Sequence, residues 1–211
     1  MPPVTVSVSD NTHYYAVPRQ LLTCLDTAPY GRDRPQMKNG RDDDRLAAVL
    51  VPLIWRESDW QILMTKRAAH LSHHGGQISF PGGAFDASDT GLVDTALREA
   101  HEEISLTPPS VKVMGGLSPV RSPAGFIVQP IVGIVGGDIF DDLRPDPAEV
   151  DSIFTLPLAH IGEPRNFSLV PRQTDGRDDS YWVVSHPKHY IWGLSAKVLN
   201  DLRQRLYYSQ T

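Results

Sequence analysis

Three carboxylates stand close together in Arg98-Glu99-Ala100-His101-Glu102-Glu103-Ile104, downstream of the glycine pair Gly82-Gly83. At 100° per residue, Glu99, Glu102 and Glu103 span roughly 100° of a helix, while Val93, Leu97, Ala100 and Ile104 gather on a different face. The apolar face is a core stripe. The acidic face is a concentration of like charge, and its i,i+4 pair Glu99 and Glu103 costs a helix roughly a few tenths of a kcal/mol. Pro108 and Pro109 end the helix soon afterwards, so the acids sit in its last turns, at the negative end of the macrodipole. A divalent cation would offset both penalties. A solvated acidic surface, eased by Arg98 reaching Glu102, would account for the helix equally well, so the decision falls to the residues upstream.

The elements that must carry these residues are legible as a β-rich framework. Residues 47–55 are an apolar strand, turned by Arg56-Glu57-Ser58-Asp59 into a second run at 60–65, the pattern of an antiparallel hairpin. A polar loop at 70–77 holds His73-His74 and Gly75-Gly76. Adjacent histidines cannot both face one metal from a regular element, so the loop is not read as a histidine site. Residues 78–80 form a short strand into Pro81-Gly82-Gly83, and Phe80 reads as core. Strands follow at 111–117 and 126–135, with Pro130 suggesting an edge or a bulge in the second. An acidic loop spans 138–149, a further strand 150–156, and residues 162–192 alternate polar turns with short β runs. A closing helix carries Leu194, Val198, Leu202 and Leu206 in its stripe. The fold class is mixed α/β (α+β). Residues 1–44 read as an N-terminal extension, with a short helix across 17–25, a Gly/Pro/Asp/Arg-rich loop at 29–45 and a solvated charge run, Arg41-Asp42-Asp43-Asp44-Arg45. Residues 45–211 form the domain that carries the chemistry.

Composition narrows the classes of function. A chain of 211 residues with 40% hydrophobic content can bury a full core, and a formal charge of −5 argues against a broad basic face for nucleic acid. The single cysteine, Cys24, rules out an internal disulfide, fits a reducing compartment and reads as a packed thiol. No apolar run approaches the roughly 20 residues of a membrane span, and the first ten residues lack the basic and apolar regions of a signal peptide. The expectation is a cytoplasmic protein, monomer or homodimer, without membrane or nucleic-acid partners.

Taken together, Gly83, five residues, Asp89, eight residues and Arg98-Glu99-Ala100-His101-Glu102-Glu103-Ile104-Ser105-Leu106 resemble the Nudix box, G-x5-E-x7-R-E-U-x-E-E-x-G-U with U a bulky aliphatic. Asp89 stands where the box has Glu, the spacer after it is one residue longer, Ala100 is small for U, and Ser105 replaces the last glycine. The segment Arg-Glu-x-x-Glu-Glu is intact. Upstream, residues 63–83 are similar to L-L-T-x-R-S-x3-R-x3-G-x3-F-P-G-G, the motif that precedes the box in the coenzyme A pyrophosphatase subgroup, with Ala68 in place of Ser and Ser72 in place of the second Arg. The resemblance runs from about residue 47 to 158, and more loosely through Tyr190-Ile191-Trp192-Gly193.

The resemblance implies an α/β/α sandwich around a mixed sheet and a Mg²⁺ or Mn²⁺ cofactor. It makes Glu99 and Glu103 the direct metal ligands and Glu102 a further or water-mediated one, all hard oxygen donors suited to these cations. Arg98 would orient Glu102. Glu149, where many Nudix proteins carry a late glutamate, is a candidate general base alongside Glu102. Arg67, Gly76, Gln77, Gly82 and Gly83 are the candidate substrate contacts, the glycines allowing backbone to approach a phosphate. The implied reaction is attack of a metal-activated water on a diphosphate bridge. For coenzyme A it gives 4′-phosphopantetheine and adenosine 3′,5′-bisphosphate. Ala68 and Ser72 keep another nucleoside diphosphate derivative, a dinucleotide or sugar nucleotide, in view. A Nudix-fold module that senses a nucleotide without cleaving it fits less well, since it has no need of the charge cluster.

Overall fold

A computed structural model describes residues 4–7, 14–17, 23–26, 43–174 and 177–208. Its centre is a mixed sheet in the order β10-β4-β3-β9-β7, built from β3 (Arg45–Arg56), β4 (Asp59–Arg67), β7 (Val111–Gly116), β9 (Phe126–Val135) and β10 (Val150–Pro157). β3 and β9 run parallel, and every other neighbouring pair is antiparallel. The short strands β5 (Ile78–Ser79), β6 (Gly82–Ala84) and β8 (Val120–Arg121) add to β4, β3 and β9. A separate hairpin pairs β1 (Val4–Ser7) with β2 (Tyr14–Val17). β11 (Phe167–Thr174), β12 (Arg177–Val184) and β13 (Ile191–Trp192) form a third sheet.

Strand alternation sends successive side chains to opposite faces and so makes two cores. On one face, Val51, Leu53, Ile62, Met64, Val132 and Ile134 pack with α2 (Leu158–Gly162) and with Val198, Leu199, Leu202 and Leu206 of α3 (Gly193–Tyr207). On the other, Leu50, Ile54, Leu63, Ile131 and Val135 meet Leu92, Ala96, Ala100 and Ile104 of α1 (Leu92–Ile104). The α/β/α layering is therefore as expected. The alanines at 96 and 100, small for their positions, bring α1 close to the sheet that must present its carboxylates.

Several local readings change. Pro130 lies neither on an edge strand nor in a bulged one, since β9 sits between β3 and β7; the ladder irregularity is on β7, between Val113 and Gly115. Pro130 stands where the partner of β9 changes from β7 to β8. Its carbonyl accepts from Leu117 N–H at 3.0 Å, and the return bond it lacks a proton to give is supplied by Gln129 Nε2, 2.8 Å from the Leu117 carbonyl. Asp44 is not a solvated charge: it is buried and paired with Arg121 at 2.8 Å. Val17 closes a strand rather than opening a helix, and Leu25 enters the core while Asp26 bridges to Gly116. Thr23 and Cys24 are helical, as expected, while residues 18–22 of the expected 17–25 helix and most of the 29–45 loop lie outside the described residues. Ser105 does take the role of a glycine at the exit of α1, in the left-handed region at φ 58° and ψ 22°, with its N–H bonded to His101.

Candidate active site

β6 and α1 build the site. Gly82 and Gly83 pair with Val49 and Ala48 of β3, which presses the turn against the sheet. Gly82 has φ +154°, and a Cβ there would collide with the Ala48 carbonyl oxygen; a Cβ on Gly83 would stand 2.5 Å from the Glu99 carboxylate. These glycines thus make room for β3 and for Glu99. From this turn a short loop leads to α1, whose first turn begins at Gly91 without a side-chain cap.

Arg98 is the hub of the outer half of the site. Its Nε and Nη2 donate to Asp89 Oδ1 and Oδ2 at 2.8 and 3.1 Å, its Nη1 to Glu99 at 2.9 Å and Glu102 at 3.1 Å, and its Nη2 also to the Ala84 carbonyl at 3.1 Å. The expected link to Glu102 is present, but the main anchor is Asp89. Asp89 is 2% exposed and also accepts from Thr95 Oγ1 at 2.8 Å and Asp86 N–H at 3.0 Å. The Arg98 guanidinium, first among these donors, holds its carboxyl down at about 2. Its place in the motif, where the Nudix box has Glu, was the available signal.

The inner half is different. Glu103 belongs to the buried face of α1 and is 2% exposed, so the acidic face and the core stripe overlap instead of dividing the helix between them. Among the described residues its Oε2 is the one buried side-chain polar atom with no hydrogen-bond partner. Arg67 Nη1, at the end of β4, approaches Oε1 only to 3.7 Å, beyond hydrogen-bond range. Burial pushes the Glu103 carboxyl up to about 8, with Glu149 and Glu99 adding to the rise and Arg67 and the Gly82 amide opposing it. Glu99 is raised too, again by burial first, against the pull of Arg98. Glu102 is the outermost of the three acids, its side chain 57% exposed. Glu149 is exposed just before β10, its charge felt by both Glu99 and Glu103, and its carbonyl accepts from Ala68 N–H at 2.8 Å.

The site therefore gathers Arg67, Gly82, Gly83, Arg98, Glu99, Glu102, Glu103 and Glu149. Gly76 and Gln77 stand beside it, hydrogen-bonded through their backbone to Arg67. They line a cavity of about 180 Å³ with Lys66, Lys188 and Trp192. Phe80 is core, as read, and His73 and His74 lie in an exposed loop. Among the described residues, no group of three or more His, Cys, Asp or Glu side chains is arranged to hold a metal ion.

A mixed sheet with a glycine turn pressed onto a helix that carries Arg-Glu-x-x-Glu-Glu defines a class, and comparison with known proteins gives it a family. The NUDIX domain matches residues 44–175. Over 169 residues the chain is 38% identical to an uncharacterized Nudix hydrolase NudL of Enterobacter sp. (strain 638), a match covering 80% of this chain and 86% of the relative. The NudL protein of Salmonella paratyphi B matches at the same identity and coverage. The chain belongs to the Nudix hydrolase family. Among solved structures, an Ap4A hydrolase of C. elegans in a binary complex is similar at a TM-score of 0.46 and 19% identity, over 54% of this chain and 80% of that one. The Nudix hydrolase RenU of M. smegmatis is similar at 0.47 and 21%, over 56% and 73%.

Proposed function

We propose that the protein hydrolyses the diphosphate bridge of a nucleoside diphosphate derivative, using a divalent cation held by Glu99 and Glu103 with Glu102 at its outer side. The observation that carries this reading is the buried, unpartnered Oε2 of Glu103. Leaving a carboxylate oxygen dry and unbonded is costly, about 1–3 kcal/mol or more, unless a ligand is to satisfy it. The donor set is all oxygen, which suits Mg²⁺ or Mn²⁺, and Mg²⁺ characteristically takes one or two carboxylates while keeping waters and substrate phosphates. Glu99, Glu102 and Glu103 do not converge as a ready-made three-ligand site, so the reading requires waters and substrate phosphates to complete the coordination.

When bound, the cation supplies a Lewis acid for the phosphoryl oxygens and an acidified water. The chain's own residues supply the rest. Arg98, clamped by Asp89, fixes the rotamers of Glu99 and Glu102 and keeps their mutual repulsion compensated. Arg67 places a guanidinium beside Glu103, where it can move onto a substrate phosphate once the carboxylate has another counter-charge. Glu149, exposed and close enough to raise both Glu99 and Glu103, is positioned to accept the proton of an attacking water.

The narrower reading, coenzyme A or its derivatives as substrate, is supported by residues 63–83 alone. The two departures there are not equivalent: Ala68 is buried where a small residue packs, whereas Ser72, in the place of an Arg, is exposed and bonded to His73 Nδ1 at 3.0 Å. The test is turnover with Mg²⁺ or Mn²⁺ on coenzyme A and its acylated forms, NADH, ADP-ribose and a sugar nucleotide. Diphosphate cleavage of at least one, abolished by Glu103→Gln, is the expected result; tight nucleotide binding without cleavage would favour a sensing module instead.

A further inference from the structure

We propose that the cavity at the end of β4 receives a phosphomonoester group that the substrate carries away from its diphosphate bridge, with Lys188 and Lys66 as its cationic wall. The inference rests on the diphosphatase reading above and names a recognition element that reading does not need. The cavity holds about 180 Å³. That is below the roughly 300–1,000 Å³ of a pocket for a whole drug-sized ligand, so it fits one substituent and not a second substrate.

Its walls are chemically pointed. Lys66 shares its charge with Asp151 at 2.9 Å, whereas Lys188 has no carboxylate partner among the described residues, which leaves the cavity one positive charge in excess. Lys188 is held in place from its backbone: its N–H and that of His189 both donate to His186 Nδ1 at 3.2 Å. The His189 ring is in turn stacked on Phe154, with centroids 3.9 Å apart. Tyr190, 58% exposed, is tethered through its hydroxyl to Tyr181 at 3.2 Å and stands beside Trp192 on the rim. A neutral sugar hydroxyl would gain little from an unpaired ammonium. A phosphomonoester brings a charge of about −1.5 to −2 and three acceptor oxygens, and lysine binds it as a point charge.

The cavity also lies within reach of the acidic site. Its loop wall is hydrogen-bonded to the residue that faces Glu103: Gly76 N–H donates to the Arg67 carbonyl at 3.0 Å, and Arg67 N–H to the Gln77 carbonyl at 2.9 Å. Lys66 and Arg67 are neighbours, their Cα atoms about 3.8 Å apart, with side chains on opposite faces of β4. A substrate whose bridge lies at Arg67 and Glu103 can turn its far end over the strand terminus into the cavity.

The experiment compares KM and kcat for pairs that differ by one phosphomonoester: NADPH and NADH, ADP-ribose 2′-phosphate and ADP-ribose, coenzyme A and dephospho-coenzyme A. In at least one pair the phosphorylated member should have a KM lower by about tenfold. Lys188→Ala should bring that ratio close to one, and Lys188→Arg should keep most of it. A wild-type enzyme that cleaves these compounds without discriminating within any pair overturns the inference, as does a ratio unmoved by Lys188→Ala. Failure to cleave any of them would instead count against the diphosphatase reading. In that event, titration of metal-free protein with adenosine monophosphate and adenosine 3′,5′-bisphosphate decides: tighter bisphosphate binding lost in Lys188→Ala supports the cavity assignment, and equal binding overturns it.

Discussion

Asp89 and Glu103 are equally closed off from solvent, each 2% exposed, and both belong to the same cluster of charged side chains, yet one carboxyl is held at about 2 and the other is driven to about 8. Loss of solvent contact alone does not set the charge of an acid: Glu103 lies deeper than Asp89, and burial leads its rise, whereas hydrogen bonds lead the fall of Asp89. Asp89 meets a guanidinium, a hydroxyl and a backbone N–H, so its ionised form is fully compensated. Glu103 has an arginine just beyond bonding distance, two acidic neighbours and an oxygen with nothing to bond. The first is a buried acid built for structure, and the second is built to receive something. The difference separates scaffold from chemistry inside one helix-and-turn unit.

Substitutions at the two acids should therefore have opposite consequences. The largest effect expected is on turnover: Glu103→Gln should reduce metal-dependent hydrolysis by about a thousandfold, about 4 kcal/mol of transition-state stabilisation, in steady-state assays with saturating Mg²⁺. The same variant should be at least as stable as wild type without metal, because it removes a dry carboxylate. Next, Asp89→Ala should cost about 3 kcal/mol in urea unfolding, since Arg98 and Thr95 lose their common partner in a buried setting.

The pH dependence sharpens the contrast, and the two acids act at different ends. A carboxyl raised to about 8 binds its proton more tightly in the folded state, so metal-free stability should fall as pH rises from about 4.5 to about 8. The slope should not exceed about 1.4 kcal/mol per pH unit, and Glu103→Gln should abolish it. A carboxyl lowered to about 2 contributes stability that is complete above about 3.8 and lost as pH falls through about 2. Unfolding curves at intervals from pH 2 to 9 would report both limbs. The smallest effect lies at the helix exit, outside the charged cluster. Ser105→Gly should gain about 0.5 kcal/mol, since glycine enters the left-handed region freely while only the 3.2 Å bond to the Arg144 carbonyl is given up.

Much of this framework could be read from periodicity. The β3–β4 hairpin, the strands flanking α1, the closing helix and the carboxylate-bearing helix itself all follow from patterns within a dozen residues. What the pattern missed depends on partners distant in sequence. Asp44 finds Arg121, 77 positions away, and so leaves the solvent that its charged neighbours suggested. Asp89 meets Arg98 only because the loop after β6 folds back on α1. A helical wheel separates the Glu103 face from Ile104 and Ala100, but it has no knowledge that β6 and β4 cover that face as well. Gln129 standing in for the missing proton of Pro130 is likewise a tertiary solution to a local defect. Gly76 and Gln77, read by motif as substrate contacts, line the cavity beside Arg67.

The most direct test of the central claim is the thermal shift on adding Mg²⁺ or Mn²⁺ to wild type and to Glu103→Gln, at pH 6 and at pH 8. If Glu103 is the open ligand of a cation site, metal should raise the wild-type Tm, and more at pH 8, where fewer protons compete for the carboxylate. The Glu103→Gln protein should show little shift at either pH. An equal shift in the two proteins, or none in wild type at pH 8, would contradict the assignment of the buried oxygen to a metal.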